Sequence, residues 1–330
     1  MKPGRRLTFA LGTTQLVSWA VSFYMPAVIA GPAAAELGMS RPAILAGFSW
    51  ALLVAGFCAP RAGRWIGRHG GRGPLAAGTI AMAAGLVLLA AAHGPALWYG
   101  GWTVMGIGMA LGLYDAVFAT LGGILGAAVG PAITGVTLMG GFASSVGWPA
   151  GAALVGLVGW RGTLLAYAAA ELAINLPIFL LMVPAHAPVS AVRPSDVSGP
   201  VGHGRRQALT CLAGFFTIRW FVTSALAVAI LPLLGGMGLT TGEAVAALIG
   251  PGQVAGRLIE WSAGGRFGLI GRATLGAALA PVGMIVLIWG GDMVGPAVAA
   301  CLFAVLYGMS NGIMTINRGT LPLAIFGPDG

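Results

Sequence analysis

The chain has 330 residues, 58% of them hydrophobic and only 8% charged, with 17 Lys+Arg against 8 Asp+Glu and a net charge of +9. A soluble domain carries about a quarter charged residues, so this composition excludes a soluble globular protein and predicts repeated membrane crossing. In a soluble chain the positive balance suggests nucleic acid; here it lies in gaps between apolar runs, which excludes nucleic acid and makes membrane lipids with anionic headgroups the partner.

A spanning helix needs about 20 mainly apolar residues. Hydropathy predicts ten: 7–30, 43–61, 74–92, 97–125, 132–158, 163–183, 208–234, 242–260, 272–290 and 295–318. The first follows Lys2, Arg5 and Arg6 and precedes Ala33-Ala34-Ala35, which imitates a secretory signal. Its apolar run exceeds the roughly 7–15 residues of a signal core, so a retained first transmembrane helix is predicted. Connections such as His93-Gly94-Pro95 and Trp160-Arg161-Gly162 are short. The Pro-, Ser- and Gly-rich stretch 184–207, with Arg193 and Asp196, reads as a flexible cytoplasmic linker. It divides a six-helix N-terminal half (1–183) from a four-helix C-terminal half (208–330).

The basic residues alternate with the spans. Lys2, Arg5, Arg6, Arg61, Arg64, Arg68, Arg72, Arg193, Arg205, Arg206, Arg257, Arg266, Arg272 and Arg318 fall on one side, and Arg41 and Arg161 on the other. The positive-inside rule then places the N-terminus in the cytoplasm, and a multi-pass protein of a bacterial inner membrane is expected. Arg219 alone sits inside an apolar run.

Glycine, at 56 residues, is abundant enough to pack helices backbone to backbone, and Gly147-x-x-x-Gly151 and Gly106, Gly108 and Gly112 fit that role. Pro149 and Pro177 are expected to kink their helices. Trp98, Trp160, Trp261 and Trp289 fall at span ends and read as interfacial belts, whereas Trp19 and Trp220 lie deeper. Cys58, Cys211 and Cys301 share no metal spacing, and His69, His93, His186 and His203 are far apart in sequence. No metal, cofactor or enzymatic constellation is read, and there is no nucleotide-binding Gly-x-x-x-x-Gly-Lys-Ser/Thr loop.

A repeat spans the halves. Ala62-Gly63-Arg64-Trp65-Ile66-Gly67, with Gly70-Gly71-Arg72 beyond, matches Ala255-Gly256-Arg257-Leu258-Ile259-Glu260, with Gly264-Gly265-Arg266 beyond. A fainter echo pairs Gly112 with Gly312 and Thr120-Leu121 with Thr320-Leu321. Both copies sit in loops six helices apart, and parallel repeats of that period build transporters whose halves rock about a central site. A ten-helix drug/metabolite transporter would repeat every five helices, which the offset disfavours.

Gly63-Arg64-Trp65-Ile66-Gly67-Arg68-His69-Gly70-Gly71-Arg72 resembles the signature loop between the second and third helices of the major facilitator superfamily. Segments 112–121, 140–149, 250–257 and 317–322 look like bacterial members near the monocarboxylate and oxalate/formate porters. The resemblance covers the whole chain and implies an all-α polytopic fold, monomeric, with about ten of twelve helices present. Two departures stand out. Gly67 replaces the acid of the family signature, whereas the second copy keeps one, Glu260. The chain also stops at Gly327-Pro328-Asp329-Gly330, where the loop before an eleventh helix belongs, so a truncation is expected.

An ionisable residue at mid-bilayer costs about 2.5–3.5 kcal/mol on insertion scales and asks for a partner or a task. Arg219 is central in the seventh helix, Glu171 in the sixth, and Asp115 lies in the fourth. Arg219 is the candidate for binding an anion, with permanent pairing to one of these acids as the alternative. Asp115 or Glu171 is the candidate carrier of a coupling proton, because burial disfavours a charged carboxylate. Gln15, Trp19, Tyr24, Tyr114, Asn311 and Asn317 complete the candidate set, since the resemblance implies that the first, fourth, seventh and tenth helices line the cavity. By the same resemblance Gly63, Arg64, Gly67, Arg68, Arg72, Gly256, Arg257 and Glu260 form a conformational motif, while Arg318 reads as an interfacial anchor. The expected function is secondary transport of a small organic solute, a proton-coupled organic anion such as a monocarboxylate, by alternating access. Drug or metabolite efflux and an inactive truncated remnant are the alternatives.

Overall fold

The computed structural model describes residues 3–126, 129–185, 203–239, 242–263 and 268–326, and every regular element among them is helical. The linker expected over 184–207 falls mostly outside the described residues, as do Gly264-Gly265-Arg266, the terminal Gly327-Pro328-Asp329-Gly330 and the side chain of Trp261. The chain divides into two compact units, Met1–Ser190 and Ala191–Gly330.

In the first unit the first span runs through Pro3–Trp19, a π-helical segment Ala20–Tyr24, and Met25–Leu37. The second span (Arg41–His69) starts where the Ser40 side chain accepts from the Ala43 N–H at 3.3 Å. The third is Arg72–Ala90, and the fourth is broken at Leu113 into Pro95–Gly112 and Tyr114–Leu125. The fifth and sixth lie in one helical stretch of 54 residues, Val129–Met182. At about 1.5 Å per residue a straight helix of that length would reach roughly 80 Å, far more than a bilayer. The chain instead turns back at Gly159, whose φ of +72° only glycine adopts without strain. The fold-back is seen directly: a Cβ on Gly151 would lie 2.7 Å from the Tyr167 hydroxyl, although the two residues are sixteen apart.

The second unit holds the seventh span (His203–Gly236), the eighth (Gly242–Ala247 and Ile249–Ala263), the ninth (Leu269–Trp289) and the tenth (Pro296–Phe326). Eight stretches among the described residues are long and apolar enough to cross a membrane. One of them contains the fifth and sixth spans, and the eighth span, which carries Arg257 and Glu260, is not among them.

Glycine brings these helices together where a side chain would not fit. Gly78 and Gly85 of the third span face Gly108 and Gly101 of the fourth, with hypothetical Cβ atoms on the four glycines 2.5–3.0 Å from backbone or side-chain atoms opposite. In the second unit Gly252-x-x-x-Gly256 meets Gly308-x-x-x-Gly312, where a Cβ would come within 2.1–2.8 Å of the facing backbone. Gly147 and Gly151 pack on the first span and on Tyr167, as expected.

Two expectations change. The signature segment is not a loop: the second span continues through His69 and ends at Gly70, φ +78°. Its counterpart at 255–260 is likewise inside a helix. Arginine stems can lie along an apolar helix while their heads reach water, so a hydropathy minimum does not end the helix. Trp98 and Trp160 are not interfacial belts; they are 0% and 4% exposed and stack edge-on at 6.1 Å. Their indole N–H groups are satisfied within the protein, by the Ile44 carbonyl and the Glu36 carboxylate. Trp289, 63% exposed, keeps a position suited to a belt.

Candidate functional site

In the first unit, four candidates converge on the break in the fourth span. Gln15 donates to the Gly112 carbonyl at 2.8 Å, an acceptor beside the interruption at Leu113. Its own amide oxygen accepts from Trp19 Nε1 at 3.3 Å. Trp19 lies 4.9 Å from the Tyr114 ring, and Tyr114 stacks on Phe118 at 5.2 Å. Asp115 occupies the first turn of Tyr114–Leu125 and is exposed, a placement that the partial positive charge of a helix start favours. Tyr24 is edge-on to Trp148 of the fifth span at 5.2 Å and to Phe23 at 5.7 Å, and Phe23 lies 5.0 Å from Trp19.

Glu171 is elsewhere and fully buried. It opens the π-helical segment Glu171–Asn175, and Asn175 donates to its Oε2 at 2.9 Å. The same Asn175 amide reaches Ser18 Oγ at 2.9 Å and the Thr14 carbonyl at 3.4 Å. The two acids singled out in the sequence therefore occupy different settings, one open and one closed.

In the second unit, Arg219 is half-buried with neutral partners. It donates to Thr223 Oγ1 at 3.2 Å, Ser310 Oγ at 3.0 Å and Asn311 Oδ1 at 2.5 Å. Its guanidinium lies 5.7 Å from the Tyr307 ring centroid, close enough for a cation–π contact. Its Nε is buried without a hydrogen-bond acceptor. Asn311 thus belongs with Arg219, but Asn317 does not. Asn317 donates to Glu260 Oε1 at 3.2 Å in a second buried network, where Arg272 approaches the same oxygen at 3.8 Å and Arg257 donates to Gln253 at 3.3 Å. Arg318 stacks on Trp220 at 4.5 Å rather than only anchoring at an interface.

The two copies of the repeated motif differ in setting. Arg257 and Glu260 are 1% and 3% exposed, and a Cβ at Gly256 would sit 2.3 Å from the Met309 carbonyl oxygen. Gly63, Arg64, Gly67 and Arg68 are exposed, and neither glycine has anything within 4 Å of its Cβ position. Arg72 donates to the Val183 carbonyl at 2.5 Å, tying the third span to the end of the sixth.

Sequence reading missed Thr223, Asn175 and Gln253, each four residues from a singled-out charge and so on the same helix face. That spacing was an available signal. It also missed Ser18, Tyr307 and Ser310, and the tie in which Arg161 binds Glu36 at 2.8 Å together with the Ala90 and Ala92 carbonyls. Those contacts cross between spans and leave no local pattern. Among the described residues no three His, Cys, Asp or Glu side chains gather as a metal site.

Membrane-spanning helices in two units, interrupted near buried polar side chains, are the build of a polytopic secondary transporter. Residues 8–329 match the Major Facilitator Superfamily, and the chain belongs to that family. Among solved structures it is similar to the human organic anion transporter MFSD10 (TETRAN), with a TM-score of 0.65 at 16% identity over 99% of this chain and 93% of that one. It is equally similar to a bacterial homolog of the human lysosomal transporter Spinster, in an inward-facing and occupied conformation. That match has a TM-score of 0.65 at 15% identity over 99% of this chain and 80% of that one. At such identities the likeness is one of fold. No curated protein sequence matches the chain.

Proposed function

We propose that this membrane transporter carries a small organic anion, of the monocarboxylate class, by alternating access and coupled to protons. Arg219 is the observation that carries the reading. A guanidinium inside a membrane helix, surrounded by neutral hydroxyl, amide and phenol groups, keeps its full positive charge for a ligand. Its buried, unpartnered Nε–H leaves a charge-assisted donor to offer a carboxylate. The similar human structure is, by its name, an organic anion transporter, which agrees with that class.

Asp115 is the proton carrier in this reading, because it is exposed beside the Gln15, Trp19 and Tyr114 cluster whereas Glu171 is closed in. The orientation follows the arginine alternation, with the N-terminus in the cytoplasm of a bacterial cell and the protein in its inner membrane. The test is uptake of labelled monocarboxylates into proteoliposomes with an imposed pH gradient. Arg219→Ala abolishes uptake at unchanged protein content, Arg219→Lys leaves a weakened residue of it, and Asp115→Asn removes the dependence on the gradient. Full uptake by Arg219→Ala overturns the anion reading; a cationic or neutral drug carried in place of the acids does so as well.

A further inference from the structure

The closed cluster around Glu171 has no part in that reading and carries an inference of its own. Glu171, Asn175, Ser18 and Thr14 are at most 1% exposed and sit on two helices that face each other, the sixth span and the first. They present oxygens of four kinds: a carboxylate, an amide carbonyl, a hydroxyl and the Thr14 backbone carbonyl. Two of these, Glu171 Oε1 and Asn175 Oδ1, are buried with no hydrogen-bond partner.

Two neighbouring hydroxyls are already committed. The Thr14 hydroxyl donates to the Leu11 carbonyl at 2.8 Å, and the Ser22 hydroxyl to the Ser18 carbonyl at 2.5 Å. Within the four residues of the cluster, the remaining donors are the amide of Asn175 and the hydroxyl hydrogen of Ser18, too few for the oxygens present. No ion pair to Glu171 exists among the described residues. A buried carboxylate without a positive partner is strongly destabilising, so the surplus of oxygen calls for a positive charge small enough to sit among these groups.

Both helices depart from α geometry at this level. The π-helical segment Ala20–Tyr24 begins two residues past Ser18 and is followed by Pro26; Glu171–Asn175 is itself π-helical and is followed by Pro177. Proline cannot donate to the preceding turn, and a π turn makes room for its ring. π segments within helices are frequent at functional sites. One carboxylate balances one positive charge, and an all-oxygen donor set suits a hard ion rather than a transition metal.

We propose that Glu171, Asn175, Ser18 and Thr14 form a binding site for a dehydrated monovalent cation of the size of Na+. The Asn175 amide now turns its nitrogen toward Glu171 Oε2, Ser18 Oγ and the Thr14 carbonyl. With Na+ bound among these oxygens, the amide rotates to turn Oδ1 toward the ion, so that its N–H2 group and the ion are alternative sources of positive charge at one place.

The proposal does not depend on Arg219 or on the substrate, and its test uses ions alone. Thermal unfolding of the purified full-length chain in detergent is followed in NaCl, LiCl, KCl and choline chloride at equal ionic strength and fixed pH. Ligand linkage predicts a midpoint that rises by several degrees and saturates with Na+, and does not rise with K+ or choline. In Glu171→Gln and Asn175→Ala the difference between Na+ and K+ vanishes, whatever the absolute midpoint of each variant. Equal midpoints in all four chlorides for the unaltered chain overturn the proposal, as does a midpoint that follows pH and ignores Na+, which assigns the cluster to a proton. A Na+ increment that survives in both variants places the ion elsewhere and overturns the site.

Discussion

Gly106 tests the claim that glycine sets the distance between spans. A Cβ at this position lands 2.5 Å from the Ala51 carbonyl oxygen and 2.9 Å from Val54 Cβ on the second span. Ordinary contact begins at 3.4 Å, so in Gly106→Ala the second and fourth spans must part by about 0.9 Å. The fourth span has nowhere to retreat. On its opposite face a Cβ at Gly108 would be 2.7 Å from the Met82 backbone nitrogen and 2.9 Å from the Gly78 carbonyl oxygen on the third span. Overpacking a close contact costs about 1–3 kcal/mol, and the better helix propensity of alanine offsets up to about 1 kcal/mol of it. The expected net loss is about 1–2 kcal/mol. Gly63→Ala is the matched control: nothing lies within 4 Å of its Cβ position, so only the propensity gain remains and the sign reverses. Thermal unfolding of the two variants in one detergent reads the difference directly. If Gly106→Ala melts at or above the temperature of Gly63→Ala, the close approach of the spans does not exist as described.

Other variants test the remaining polar contacts. Glu260→Gln keeps the shape and the hydrogen bond to Asn317 but removes the negative charge beside Arg257 and Arg272. Breaking one side of a buried charge network costs about 3 kcal/mol or more, so a marked fall in the unfolding midpoint is expected, and an unchanged midpoint refutes the network. Arg161→Lys lowers the midpoint nearly as far as Arg161→Ala, because only the planar guanidinium meets Glu36 and the Ala90 and Ala92 carbonyls together; full retention by lysine contradicts that geometry. Asn311→Ala weakens substrate uptake in proteoliposomes through loss of a partner that positions Arg219, whereas Asn317→Ala acts on stability first. Equal effects of the two on uptake at unchanged stability would remove the distinction drawn between them.

The helices were legible because hydropathy is a property of each residue that adds along the chain. Helices lie over all ten predicted ranges, but the eighth is split into Gly242–Ala247 and Ile249–Ala263 and is not among the stretches long and apolar enough to cross a membrane. The second span ends at His69 rather than 61 because arginine stems prolong a helix beyond its apolar run. The fifth and sixth share one helical stretch whose turn is marked only by Gly159. Side-chain settings were less legible. Arg64 and Arg257 occupy matching places in a repeat, yet one is exposed and the other 1% exposed, because only the second copy lies against a close-packed tenth span. Trp98 and Trp160 sit at span ends, where sequence favours an interface, and the Ile44 carbonyl and Glu36 that hold them inside are distant in the chain.

What the sequence determined by itself is therefore the membrane-crossing architecture, the repeat and the membership of a transporter family, all of which follow from apolar runs, the spacing of glycines and the placement of arginines. The tertiary structure decided which polar groups meet: Arg219 with Thr223, Tyr307, Ser310 and Asn311, Glu171 with Asn175 and Ser18, and Asn317 with Glu260. Most of these pairings join different spans, and they depend on how closely glycine lets two helices approach and on which face each turns inward. Those are properties of pairs of helices, and no single stretch of sequence contains them.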